Sequence, residues 1–102
     1  MGGLAEIVKK EVAWYASGGF NLKSFLLTDE RQQIYAVKVI DYPKRKRPAG
    51  VVVLARIVGD YVIIEEERTD RPLEERLIAA GVPREKIICA YAGDAYPDIQ
   101  SA

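Results

Sequence analysis

Histidine is absent from all 102 residues of this chain, and the only cysteine is Cys89. Without histidine the chain lacks the side chain most easily poised for proton transfer near neutral pH, and every Ser-His or Cys-His nucleophile pair is excluded. The commonest zinc ligand is missing too, and one cysteine supplies neither a thiolate cage nor an internal disulfide. We therefore expect no catalytic constellation, no metal and no cofactor, and we interpret Cys89 as a small buried hydrophobe.

A long apolar run is also missing. No segment reaches the roughly 20 apolar residues that cross a bilayer, and the N-terminus lacks the pattern of a secretory signal. With a single cysteine, these features predict a soluble cytoplasmic protein. Neither sign of charge is in excess, because Lys plus Arg and Asp plus Glu number 15 each. Any contact with nucleic acid would therefore be confined to a local patch.

Material for a hydrophobic core is present, since apolar residues make up 49% of the chain. This is sufficient for one core in a domain of this size. Apolar residues recur at spacings of three and four over residues 4–16, which predicts an amphipathic helix that ends at Gly18 and Gly19. We predict one domain over residues 1–91 and a flexible tail over residues 92–102, where the periodic pattern ends.

The middle of the chain predicts strands at residues 22–28, 33–41 and 50–58 and from Tyr61 onward. The third of these is apolar on both faces except at Arg56. This pattern is typical of a central strand that is covered on both sides, by a helix or by a second subunit. We accordingly predict a homodimer.

A two-residue turn signal, Gly59-Asp60, predicts a hairpin between the third and fourth strands. A two-residue loop would place Arg56 opposite Ile63 and on the same face as Glu65. We interpret Arg56 and Glu65 as an ion pair on the sheet surface, not as catalytic groups.

A second helix is predicted to start near Asp70, whose side chain would cap it, with Pro72 in its first turn. Gly81 and Pro83 are predicted to end this helix, and a short strand over residues 87–91 would return to the sheet. The order α-β-β-β-β-α-β predicts an α+β fold in which two helices pack on an antiparallel four- to five-stranded meander sheet.

Four consecutive cations between two prolines are predicted to project from a loop: Lys44, Arg45, Lys46 and Arg47. These are the candidate nucleic-acid-binding residues. A phosphate-contacting tip and a solvated loop that pairs with the acidic edge of another subunit both stay open. If all four contacted phosphates of duplex DNA, log affinity would fall with log salt at a slope of about −3.6.

Six carboxylates crowd one region of the sequence: Glu65, Glu66, Glu67, Asp70, Glu74 and Glu75. Oxygen ligands suit a divalent cation. Strict alternation, however, would turn Glu66 to the face opposite Glu65 and Glu67. A solvated charged edge is therefore the favoured interpretation.

Three aromatic residues follow the first helical pattern: Trp14, Tyr15 and Phe20. They could stack nucleic-acid bases. The favoured interpretation is that they pack the first helix onto the sheet, since large aromatics dominate small cores.

The last third of the chain carries a family resemblance. The segment 59–64, then Thr69-Asp70, and above all the segment 77–91 with its helix stop Gly81-Val82-Pro83, resemble the XisI-like family. Its members are the fdxN element excision controlling factors, described mainly from cyanobacteria. The order of elements is similar over nearly the whole domain.

This resemblance implies control of the excision of a DNA element by a site-specific recombinase. It also implies a companion protein that is XisH-like and resembles a nuclease. No catalytic residues are carried over, so we expect a non-catalytic accessory factor that acts through this protein partner. Two alternatives stay open: an antitoxin-like inhibitor of the nuclease-like partner, and a direct DNA-binding module that uses residues 44–47.

Overall fold

The computed structural model describes residues 3–17, 22–41, 44 and 50–96. Its main elements are α1 (Leu4–Ala13), β1 (Leu22–Asp29), β2 (Ile34–Asp41), β3 (Gly50–Val58), β4 (Tyr61–Glu67), α2 (Leu73–Ala79) and β5 (Ile87–Cys89). Single 3-10 turns lie at Arg84–Lys86 and Ala90–Ala92. The predicted α+β fold and its element order are confirmed. No helix among these residues has the length and apolar character needed to span a membrane.

The five strands form one sheet in the order β1-β2-β3-β4-β5. The first four are antiparallel neighbours, so the predicted meander is confirmed and β3 is the central strand. The fifth strand pairs with β4 in parallel, which makes the sheet mixed. The reason is the connection: α2 crosses over between β4 and β5, and a crossover joins parallel strands whereas a tight turn joins antiparallel ones.

The hairpin between β3 and β4 has the predicted register. Val58 lies opposite Tyr61, and Arg56 lies opposite Ile63. Gly59 has a φ of 63°, in the left-handed region that glycine adopts without steric cost. The two-residue turn therefore fixes the pairing of β3 with β4.

Both helices pack on one face of the sheet. The buried core on this face unites Val8 and Val12 of α1, Leu73 and Leu77 of α2, and strand residues such as Tyr35. Neither α1 nor α2 covers the second face, which presents the side chains of alternate strand residues. The central strand is thus covered by helices on one side only.

The first helix is shorter than predicted. It ends at Ala13, not at residue 16, because the chain tightens there: the N–H groups of Tyr15 and Ala16 donate to the carbonyls of Val12 and Ala13, three residues back. Such bonds are common in the last turn of a helix. The predicted glycine stop at residues 18–19 lies outside the described residues.

The second helix begins at Leu73, not near Asp70. Its predicted end is confirmed: Gly81 has a φ of 106°, and the N–H of Val82 donates to the carbonyl of Leu77 at 3.0 Å. Val82 is buried, as expected for the hydrophobic contact that accompanies this helix stop. The last strand is also shorter than predicted, because the chain turns into a 3-10 helix after Cys89.

Residues 93–96, which fall in the predicted flexible tail, contact the sheet. The carboxylate of Asp94 accepts a hydrogen bond from the backbone N–H of Cys89 at 2.9 Å, and the hydroxyl of Tyr96 donates to Glu65 at 2.8 Å. The predicted boundary between the domain and a tail at residue 92 stays a prediction.

Candidate functional site

The basic loop is only partly described. Lys44 is exposed, and Arg45, Lys46 and Arg47 lie outside the described residues. Nucleic-acid binding at residues 44–47 therefore stays a prediction.

The acidic segment at the end of β4 contains a β-bulge. The register with β3 shifts between Leu54 and Ala55, which lie opposite Glu66 and Ile64 respectively. Glu65 is the extra residue, and a bulge of this kind interrupts the alternation of faces. The prediction that Glu65 and Glu67 share one face is therefore wrong.

On the second face of the sheet, Glu65 forms the predicted ion pair with Arg56. Their Oε2 and Nε atoms are 2.7 Å apart. Tyr96 completes the cluster, because its hydroxyl donates to the other carboxylate oxygen and its ring lies 5.7 Å from the guanidinium carbon of Arg56. The hydrogen bond to Glu65 raises the pKa of Tyr96. These groups stabilise the sheet surface and hold the segment after β5 against it.

Glu67 lies on the helix face and replaces Asp70 as the cap of α2. Its Oε1 accepts a hydrogen bond from the backbone N–H of Leu73 at 2.7 Å. Its Oε2 accepts bonds from the hydroxyl of Thr69 at 2.6 Å and from the N–H of Thr69 at 3.1 Å. Asp70 is exposed, and no side chain of the N-cap residue caps the helix. The interpretation of Glu67 as part of a solvated edge is therefore wrong.

The other carboxylates of the acidic region are dispersed. Glu66 pairs with Arg68 at 2.6 Å, and Glu74 lies 3.5 Å from Arg84. Over residues 3–17, 22–41, 44 and 50–96, the structure contains no group of three or more carboxylate or cysteine side chains arranged to hold a metal ion.

A groove lies between the end of α1 and α2. Its volume is about 590 Å³, and Trp14 forms part of its wall with 40% of its surface exposed. The guanidinium carbon of Arg76 lies 3.9 Å from the centre of the Trp14 ring. Arg76 also pairs with Glu11, with Nη2 and Oε1 at 2.8 Å. The indole is thus fixed between the two helices by a cation–π contact, and an ion pair orients the cation.

A second arginine and a tyrosine also lie against Trp14. Arg71 lies 5.7 Å from the centre of the indole and is exposed. Tyr15 meets Trp14 edge to face with ring centres 5.1 Å apart, and its hydroxyl donates to the backbone carbonyl of Arg71. Burial raises the pKa of Tyr15 well above its ordinary value, so the hydroxyl keeps the proton that it donates. The prediction that the aromatic residues pack α1 onto the sheet agrees with Tyr15, which is partly buried against the core. It is wrong for Trp14, which packs on α2, and Phe20 lies outside the described residues.

The chemistry of this Trp14 groove is that of a contact surface. Its rim carries both signs of charge, from Arg71 and from the exposed carboxylates of Asp70 and Glu75. Its lining offers no thiol or imidazole, and Arg76 Nε is buried without an acceptor among the described residues. Exposed tryptophan and arginine are the residue types most enriched among binding hot spots. The sequence singled out Trp14 but gave no signal for Arg76, which is 62 residues away along the chain.

The family of the chain is established by its sequence. The sequence model of the XisI protein family matches residues 4–99. The chain belongs to the XisI family. The resemblance to the XisI-like family is thereby confirmed, and no curated protein matches the sequence.

Solved structures share the fold. A crystal structure of a XisI-like protein from Anabaena variabilis is 26% identical, with a TM-score of 0.73 over 83% of this chain and 81% of the other. A crystal structure of the fdxN element excision controlling factor XisI, also from Anabaena variabilis, is 23% identical, with a TM-score of 0.61 over 94% of this chain and 89% of the other.

Proposed function

We propose that this XisI family protein is a non-catalytic accessory factor that controls the excision of a DNA element through a protein partner. The observation that carries the proposal is family membership over residues 4–99. It is supported by the shared fold with a protein named as an fdxN element excision controlling factor. The expected partner is an XisH-like protein related to nucleases.

The ionisable groups support the absence of catalysis. The carboxylates at the end of β4 are engaged by arginines or by backbone N–H groups, as described for Glu65 and Glu67. The thiol of Cys89 is buried, and burial raises its pKa to about 11. A thiol with such a pKa is a poor nucleophile at neutral pH. Bond-making chemistry is therefore assigned to the partner.

The Trp14 groove is the surface that we assign to this partner. A rigid aromatic side chain loses little conformational entropy on binding, and here the Arg76 contact fixes it in advance. The groove is open to solvent, and its rim of mixed charge suits hydrogen bonds with a protein segment. We expect a side chain of the partner to pack against the exposed face of Trp14.

Co-purification with the XisH-like protein of the source organism tests both the proposed partner and the assignment of the Trp14 groove to it. The wild-type chain is expected to capture it. Trp14→Ala is expected to weaken binding by about 30-fold or more, the loss of roughly 2 kcal/mol typical of a hot spot. Tyr91→Ala is the matched control, since Tyr91 is equally exposed, at 41%, but lies next to β5. It is expected to leave the affinity within about twofold.

The possible outcomes of this experiment distinguish the proposed function from the assignment of the Trp14 groove. A wild-type chain that never captures the XisH-like protein would contradict the accessory-factor function. Capture that is equally strong with Trp14→Ala would reject the groove and keep the partner. Toxicity of the partner alone, relieved by this chain, would turn the assignment to an antitoxin-like inhibitor. A steep loss of DNA affinity with salt, with a slope near about −3.6, would favour direct DNA binding through residues 44–47.

A further inference from the structure

The outer edge of β1 is an exposed apolar strand edge. Within the described residues β1 is a terminal strand of the sheet, and it carries three consecutive exposed hydrophobic residues: Phe25 at 44%, Leu26 at 36% and Leu27 at 46% exposure. Its eight residues pair with β2 without a register shift, so the edge is regular. Natural edges are usually protected by central charges, prolines or bulges. Here the only charges of the strand are Lys23 and Asp29, at or near its ends.

We propose that this edge pairs with the same edge of a second copy of the chain, as two antiparallel β1 strands related by a two-fold axis at Leu26. The interface does not involve the Trp14 groove and is independent of the proposed function. A two-fold axis perpendicular to the joined sheet keeps each residue on its own face. Residues that lie opposite each other must then be an even number of positions apart.

The sequence of β1 selects this register by self-complementarity. With the axis at Leu26, that residue meets its own copy, Phe25 lies opposite Leu27 of the second copy, and Ser24 lies opposite Thr28. Lys23 lies opposite Asp29, so residues of opposite charge face each other at both ends of the pairing. Apolar, hydroxyl and charged residues thus each meet their complement, and such cross-strand pairs stabilise a sheet.

The neighbouring registers lack this match. An axis at Phe25 would place Leu27 opposite Lys23. An axis at Leu27 would place Phe25 opposite Asp29 and would leave Lys23 with no strand residue opposite it, because β1 ends at Asp29. Each alternative sets an apolar residue against a charge, which weakens cross-strand pairing.

The dimer would bury the apolar side chains of β1 that are exposed in the monomer. Phe25 and Leu27 lie on the second face of the sheet, opposite Lys38 and Ala36 of β2, so the two copies would form one apolar patch of four side chains. Leu26 lies opposite Val37, which belongs to the core on the helix face. The two cores would therefore be continuous across one ten-stranded sheet, an isologous interface of the kind that closes a dimer.

Disulfide cross-linking tests the register directly. Leu26→Cys places two thiols opposite each other at the axis, about 5 Å apart at Cβ, and is expected to form a covalent dimer on mild oxidation. Ser24→Cys shares the strand and the face, but its two copies would be roughly 14 Å apart, four residues along the strand. It is expected to stay uncross-linked. The wild-type chain, whose Cys89 is buried, is the control for background thiols.

A charge at the axis tests the interface without oxidation. Light scattering at micromolar concentration is expected to give a dimer mass for the wild-type chain. Leu26→Lys sets two cations against each other and is expected to raise the dissociation constant at least about tenfold. Tyr91→Lys, on an exposed residue at the other end of the sheet, should remain dimeric. Circular dichroism verifies the fold, and the cross-linking result decides if Leu26→Lys does not fold.

Three results would overturn the proposal. The first is a wild-type chain that is monomeric throughout the micromolar range. In that case the edge of β1 would be available to a strand of another protein and not to a second copy. The second is a dimer that a folded Leu26→Lys variant keeps with unchanged affinity. The third is a Leu26→Cys variant that cross-links no faster than Ser24→Cys.

Discussion

Removing the carboxylate of Glu67 is the sharpest test of the local structure. Glu67→Ala deletes the acceptor for three hydrogen bonds at once: from the backbone N–H of Leu73 and from the N–H and hydroxyl of Thr69. Pro72 precedes the helix and has no N–H to donate. The carboxylate therefore both caps the first turn of α2 and fixes the segment that leads into it.

The expected loss is large for a single half-buried side chain. Losing an N-cap costs about 0.5–2 kcal/mol, and a hydrogen bond to a charged group contributes about 1.5–3 kcal/mol. Because the three bonds share one side chain, their contributions do not simply add. We expect Glu67→Ala to lower the free energy of unfolding by about 2–4 kcal/mol. Glu67→Gln keeps one acceptor oxygen and is expected to lose about half of that.

Equilibrium unfolding in urea measures both variants, and Asp70→Ala is the matched control. Asp70 is the residue that the sequence indicates as the cap, but in the structure its side chain is exposed. Its replacement is expected to change the free energy of unfolding by no more than about 0.5 kcal/mol. The opposite order, with Asp70→Ala the more damaging change, would refute the capping role of Glu67 and the bulge that brings it to the helix face.

Two further predictions concern the sheet. A double-mutant cycle of Arg56→Ala and Glu65→Ala should give a coupling of about 0.2–1 kcal/mol, since both side chains are partly exposed; a coupling indistinguishable from zero would contradict a stabilising pair. Because burial raises the pKa of Cys89 from 9.0 to about 11, the stabilisation from its neutral thiol is complete below pH 9 and is lost as the pH rises toward 11. Urea unfolding across this range should show a smaller alkaline loss in Cys89→Ala than in the wild-type chain, and equal losses would falsify the buried-thiol assignment.

Short-range signals predicted the central part of the fold correctly. Strand β3 spans residues 50–58 as predicted, because a continuous apolar run with turn residues at its end leaves little choice of conformation. The register of Arg56 followed from the length of one turn, Gly59-Asp60. The stop of α2 followed from Gly81, whose left-handed conformation is hard for other residues to adopt. In each case the determining residues are neighbours in sequence.

The predictions from sequence are wrong where the determining contact joins residues that are distant along the chain, or where a bulge adds a residue to one strand. Residue propensity favours Asp70 as the cap of α2 because it is an Asp close to the helix start, whereas in the structure Glu67 reaches Leu73 from the preceding strand. The contact of Trp14 with Arg76 joins α1 to α2, and the four antiparallel strands lie between these two helices in the sequence. Neither contact leaves a periodic signal in the sequence.

One bulge accounts for the divergent roles of the three glutamates that end β4. Without it, alternation would place Glu65 and Glu67 together on the second face, and α2 would lose its cap. The extra residue instead leaves Glu65 with Arg56 and Tyr96 on one side of the sheet and turns Glu67 toward α2 on the other. Three identical side chains in a row therefore acquire different partners through backbone register alone. The sequence indicates a charged edge here, but the partners of each carboxylate depend on the face of the sheet from which its side chain projects.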